Sequence, residues 1–132
     1  MDIQCCYQVP YALAQVYAAW VSSATVIPPA TAMDIEPRVG GHYRLLMETP
    51  NFTGRNEGTF SAVEPNQRVC YSWEWNGDGE VTQVDVQFAA RGAGTEVKIN
   101  HSGFTSAASR DTHRSGWDSY MEGFCSFLAT GQ

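Results

Sequence analysis

The side chains best suited to acid–base, nucleophilic or metal chemistry in this 132-residue sequence are three histidines, four cysteines and a scatter of carboxylates. His101 ends a run whose alternate positions are Val97 and Ile99, so its imidazole points at whatever that face covers. There it would hydrogen-bond a ligand, act as a general acid or base, or be satisfied by a neighbouring backbone group. His42 and His113 fall near a turn and a helix start and read as solvated. Three scattered histidines without a fixed carboxylate partner do not make a metal site. Cys5 and Cys6 are adjacent and would point to opposite faces of a strand, while Cys70 and Cys125 are isolated. With no C-x-x-C pair, all four read as free thiols in a reducing compartment. Nothing in the spacing supports a Cys70–His101 pair. No G-x-S-x-G elbow, phosphate-cradling glycine loop or H-E-x-x-H motif is present. Glu48, Glu74 and Asp85 occupy outward positions. No catalytic residue, metal or cofactor is therefore assigned.

The elements that would position these groups are legible from periodicity. Residues 3–9 alternate Ile3, Cys5, Tyr7 and Val9 with Gln4, Cys6 and Gln8, a period-two strand that Pro10 ends. Leu13, Val16, Tyr17 and Trp20 then recur at helical spacing, predicting a short amphipathic helix over 11–20 that Pro28-Pro29 prevents from continuing. From about residue 31 to 102 the chain is almost all strand and turn. Gly40-Gly41 makes a tight corner before a strand carrying Tyr43, Leu45 and Met47, and the next strand lies near 55–63. Val69, Tyr71, Trp73 and Trp75 alternate with polar residues up to the hairpin signal Asn76-Gly77-Asp78-Gly79. Val84, Val86 and Phe88 form the return strand, and a second hairpin at Arg91–Gly94 leads to Thr95, Val97, Ile99 and His101. Trp117, Met121, Phe124 and Leu128 make the apolar stripe of a long helix over ~110–129, with Gly131 placed to cap it.

Such alternation gives a sheet with one dry face and one wet face, and only the last helix remains to cover the dry one. The fold class expected is α+β, with about six or seven antiparallel strands curved around a long C-terminal helix and short helical structure after the first strand. Residues 1–132 form one domain on this reading. A curved sheet around one helix tends to leave a concave apolar space between them, the default kind of ligand site. The sheet residues expected to line it are Tyr71, Trp73, Trp75, Val86, Phe88 and His101. Trp117, Met121 and Phe124 would close it from the helix. The competing expectation is that these residues simply fill the core. Gly123 lies on the flank of the stripe, where a missing side chain either admits close backbone approach or leaves room for a ligand.

Bulk composition narrows the function classes. Hydrophobic residues make up 43% and charged residues 17%, with a formal charge of -6. That is globular composition, and the negative balance without any Lys/Arg cluster argues against nucleic-acid and membrane-surface roles. The N-terminus has neither the basic nor the apolar region of a signal peptide, and no stretch approaches a membrane span, so a cytoplasmic location is expected.

Several motifs, taken in order, resemble the Hsp90 ATPase activator homologue family within the START-like (SRPBCC, Bet v-type) superfamily. They are Val16-Tyr17 with Trp20, Arg38-Val39-Gly40-Gly41-His42-Tyr43-Arg44, and Gly58-Thr59-Phe60 running to Glu64-Pro65-Asn66-Gln67-Arg68-Val69. Tyr71-Ser72-Trp73, Gly94-Thr95-Glu96-Val97, His101-Ser102-Gly103-Phe104 and Gly116-Trp117 continue the series. The resemblance spans roughly residues 3–129 and implies the helix-grip fold. The loop Ser22–Met33 lacks the tryptophan-bearing segment many relatives carry, so ligand specificity does not transfer. Three functions follow as alternatives. The first is non-catalytic binding of a small hydrophobic molecule, lipid-like, aromatic or polyketide-like. The second is a cyclase or hydrolase using His101 and a tyrosine. The third is a chaperone-interacting module, which would need an exposed apolar patch on the outer face of the sheet.

Overall fold

The computed structural model describes residues 2–27, 30–50 and 52–130. Strand β1 (Asp2–Val9) leads to helix α1 (Leu13–Trp20). Six strands follow: β2 (Ala32–Ile35), β3 (His42–Thr49), β4 (Phe52–Glu64), β5 (Arg68–Trp75), β6 (Thr82–Arg91) and β7 (Gly94–Ser102). Helix α2 (Ala107–Ala129) closes the chain. The seven strands form one antiparallel sheet in the order β1-β7-β6-β5-β4-β3-β2. Thus β2 to β7 run as a meander, and β1 adds to its far edge through a register from Asp2 opposite Ser102 to Val9 opposite Thr95. This is the α+β, helix-on-sheet arrangement that the alternation predicts.

Local chemistry explains the element ends. α2 starts three residues earlier than its apolar stripe implies, because Ser106 caps it: the Ser109 backbone N–H donates to the Ser106 hydroxyl at 3.1 Å. α1 starts at Leu13 rather than at residue 11, with no side-chain cap at Ala12. Strand β2 carries only four residues, Ala32 to Ile35, too short for alternation to announce it. The Gly40-Gly41 corner works by two means. Gly40 has φ +82, and a Cβ on Gly41 would run into the carbonyl oxygen of Glu36. The turn after β5 places both Asn76 and Gly77 at positive φ, as the Asn-Gly signal predicts. The Pro28-Pro29 break and the Gly131 cap fall outside the described residues.

The inner face is continuous and dry. Val9, Val16, Val69, Val84, Val86, Val97, Ile99 and Phe124 are each 2% exposed or less. α1 packs on β6 and β7, and Phe88 meets Tyr17 and Trp20 edge-on at ring separations of 5.3 and 5.7 Å. Trp20 is the hub of this packing, stacked on Trp117 at 6.2 Å and edge-on to Phe124 at 5.2 Å. The outer face is polar. The Arg68 guanidinium donates two bonds to Asp85, at 3.0 and 2.7 Å, and Glu96 faces both Arg91 and Lys98. Among the described residues the exposed large hydrophobics are Val39 and Val81.

Candidate ligand cavity

A cavity of about 490 Å³ lies between the sheet and the first half of α2. Strands β2 to β5 build one wall, from Met33 and Ile35 through Tyr43, Leu45 and Met47 to Asn56, Phe60, Tyr71, Trp73 and Trp75. Helix α2 supplies the other through Thr112, His113, Gly116, Trp117, Ser119 and Tyr120, and Trp20, Ile27 and Ala30 complete it. No residue of β1, β6 or β7 lines it, nor any residue of α2 beyond Tyr120.

This division sorts the residues expected at the site. Tyr71, Trp73, Trp75 and Trp117 lie on the cavity wall. Val86, Phe88, His101, Met121 and Phe124 do not; they are buried in the core, each 5% exposed or less. Period-two alternation identifies the inward face of every strand, but not the part of the sheet from which the helix stands away. The wall residues beyond those expected include Tyr43, Leu45 and Met47, whose alternation is visible in sequence, and Asn56, which shares the face of Phe60. His113 is not solvated as its position suggests. It lies half-buried on the wall, its Nδ1 2.8 Å from the Ser109 carbonyl and its ring 4.9 Å from Phe104.

The two helix glycines have different roles. Thr112, His113, Ser119 and Tyr120 stand three or four residues from Gly116, so Gly116 sits at the centre of the helix face on the cavity. A Cβ there would meet nothing within 4 Å. A Cβ on Gly123 would instead collide with the side chain of Ile27, a wall residue that is 5% exposed. Gly123 therefore admits close approach of the loop, and Gly116 contributes open space.

His101 stands one layer behind the wall, fully buried and held at both nitrogens. Trp117 Nε1 donates to its Nδ1 at 3.1 Å, and its Nε2 lies 2.6 Å from the Thr82 hydroxyl. Because an indole N–H only donates, Nδ1 must carry the lone pair and Nε2 the proton. The relay then runs from Nε2–H to Thr82, and from the Thr82 hydroxyl to the Trp73 carbonyl at 3.2 Å. Burial, and secondarily His113, lower the His101 pKa to about 3. A second proton on Nδ1 would also face the Trp117 donor. The imidazole is a neutral structural tie between sheet and helix, with no free nitrogen for a ligand or for proton transfer.

The remaining electrostatics are quiet. No Asp, Glu, Lys or Arg lines the cavity. Burial raises the pKa of Tyr43, Tyr71 and Tyr120, so all three wall phenols are neutral. The Tyr43 hydroxyl donates to the Ser72 carbonyl at 2.7 Å. Glu80, just outside the cavity, accepts from Thr105 and Ser109 and ties the β5–β6 connection to the start of α2. Those bonds, foremost the Ser109 hydroxyl, hold its pKa down at about 2. The four cysteines are free, and the described residues contain no cluster of three or more potential metal ligands. No described helix is long and apolar enough to cross a membrane.

A seven-stranded antiparallel sheet curved about one long helix, polar outside and hollow under the helix, defines a helix-grip protein of the START-like class. Residues 10–129 match the model of the Activator of Hsp90 ATPase homolog 1-like proteins, and the chain belongs to that family. Solved structures agree on the fold. An AHSA1-like protein from Aeromonas hydrophila superposes with TM-score 0.84 at 20% identity, over 99% of this chain and 94% of that one. A protein from Rhodobacter sphaeroides gives 0.84 at 21% identity, over 98% and 92%. DynU16, described as a putative protein in the dynemicin biosynthetic locus, gives 0.84 at 17% identity, over 99% of this chain and 48% of its own. None of the curated proteins matches the chain significantly.

Proposed function

We propose that this protein binds a small, uncharged, largely apolar molecule, lipid-like, aromatic or polyketide-like, in the cavity between β2–β5 and α2, without catalysing its conversion. The observation that carries this reading is the cavity itself: about 490 Å³, walled by aromatic and aliphatic side chains and free of ionised carboxylates and amines. Sites of this size and lining suit ligands of drug-like dimensions. The origin of DynU16 in a biosynthetic locus is compatible with a ligand of that kind but says nothing of this chain's own.

The test is the thermal unfolding midpoint measured against lipids, sterols, flavonoids and aromatic polyketides. A ligand at a hundred times its dissociation constant stabilises the folded state by about 2.7 kcal/mol, a shift of several degrees for a domain of this size. A reproducible shift for one chemical class is the expected result; none across the whole panel would overturn the proposal. Gly116→Leu provides the matching control. Four carbons placed at the centre of the helix face should weaken binding by roughly tenfold or more. Stability should not fall, because removing a mid-helix glycine is favourable by up to about 1 kcal/mol. Unchanged affinity in this variant would place the ligand elsewhere.

A further inference from the structure

Along α2 the residues that line the cavity run from Thr112 through Gly116 to Ser119 and Tyr120, about 12 Å of helix. The next position on that face is Gly123, four residues beyond Ser119 and three beyond Tyr120. It carries no side chain, so the helix itself does not close the cavity at that end. The closing group comes from the loop after α1. Ile27 lines the cavity, is 5% exposed and occupies the space over Gly123, where an added Cβ would run into Ile27 Cγ2. That placement is secured nearby. Two residues earlier the buried Thr25 hydroxyl donates to the Ala19 carbonyl at 2.6 Å, which fastens the loop to the last turn of α1. A β-branched side chain also has little rotameric freedom with which to swing clear.

Resting on the reading of the cavity as a ligand site, we infer that Ile27 is its end stop, the residue that sets how long a ligand it admits, with Gly123 the socket that seats it. Cutting Ile27 back to its Cβ removes three carbons. The space they leave adjoins the cavity on one side and the bare helix backbone at Gly123 on the other. A side chain grown from position 123 would enter that same space and close the cavity again. One wall thus has two possible sources, and this chain builds it from the loop.

The test is a series of linear 1-alkanols from octanol to hexadecanol, which differ only in length. All four tryptophans of the protein, Trp20, Trp73, Trp75 and Trp117, line the cavity, so the change in intrinsic fluorescence reports occupancy. In the native protein affinity should rise roughly fourfold with each methylene up to a cutoff length and then stop rising. In Ile27→Ala the cutoff should move up by two or three carbons. An alcohol two carbons beyond the native cutoff should then bind roughly tenfold more tightly than it does to the native protein. Adding Gly123→Leu to Ile27→Ala should return the cutoff to its native length. Ile27→Val, the milder change, should move it by about one carbon and serves if the alanine variant does not fold. A cutoff unchanged in the Ile27 variants, or affinity that climbs through the whole series in the native protein, would overturn the end stop and leave the cavity reading standing. A cutoff that moves but is not restored by Gly123→Leu would overturn the socket. Absence of binding by every alcohol would also overturn the end stop, and with a flat thermal panel the cavity reading would fall as well.

Discussion

Trp117→Ala is expected to lower the free energy of unfolding by roughly 3–5 kcal/mol, the range for removing a large buried aromatic. Trp117 is 4% exposed, stacks on Trp20 and is edge-on to Tyr120 at 5.9 Å. It also donates the hydrogen bond that satisfies His101 Nδ1. Truncation would therefore open a void and orphan a buried acceptor together. Trp117→Phe separates the two effects, retaining much of the ring while leaving His101 unpaired, at a cost of about 1–3 kcal/mol plus a smaller packing loss. Urea denaturation at neutral pH measures both. A loss below about 1 kcal/mol for the alanine variant would contradict the role of this indole as a tie between helix and sheet.

The second large effect is on pH. In the unfolded chain His101 takes up a proton near pH 6.5, whereas in the folded protein it resists protonation down to about pH 3. Between those values the unfolded state binds more protons, so stability falls as pH falls; above pH 6.5 this penalty is absent. By pH 5 the loss should be about 2 kcal/mol. Glu80 adds to it only at lower pH. Its folded pKa is depressed, so its contribution is present above the ordinary carboxylate range and disappears as pH drops toward 2. The interval from pH 6.5 to 4.5 therefore belongs mainly to His101. Comparing urea midpoints at pH 7 and pH 5 in the native protein and in His101→Gln provides the check: the variant should be less stable at pH 7 yet nearly insensitive to this interval. An equal drop in both would assign the titration to another group.

The architecture was readable because it depends on period and order. Alternation in β1, β5, β6 and β7 gave both the strands and their inward faces, and the stripe from Trp117 to Leu128 identified the covering helix. Position along the sheet leaves no such mark. Val86 and Tyr71 have the same parity signal, yet one is in the core and the other on the cavity wall, because α2 packs against one side of the sheet and stands away from the other. Asn56 was detectable in principle, as a polar residue four positions before Phe60 on an inward face. His113 was read by sequence distance from the helix start, which carries no information about what Phe104 and Trp73 bring against it in space. The satisfaction of His101 by Thr82 and Trp117 joins residues from three elements, and no local pattern encodes it.

The cavity takes its walls from β2 to β5 and the first half of α2, while β1, β6, β7 and the second half of the helix hold the dense core. If the cavity is the ligand site proposed above, recognition and folding fall to different ends of one sheet. Substitutions at Met33, Leu45 or Met47 change the shape of an already open space and cost little packing, whereas those at Val84, Val97 or Phe124 disrupt contacts that the whole chain depends on. A scaffold divided in this way can acquire a new ligand through a few wall changes without passing through an unfolded intermediate sequence.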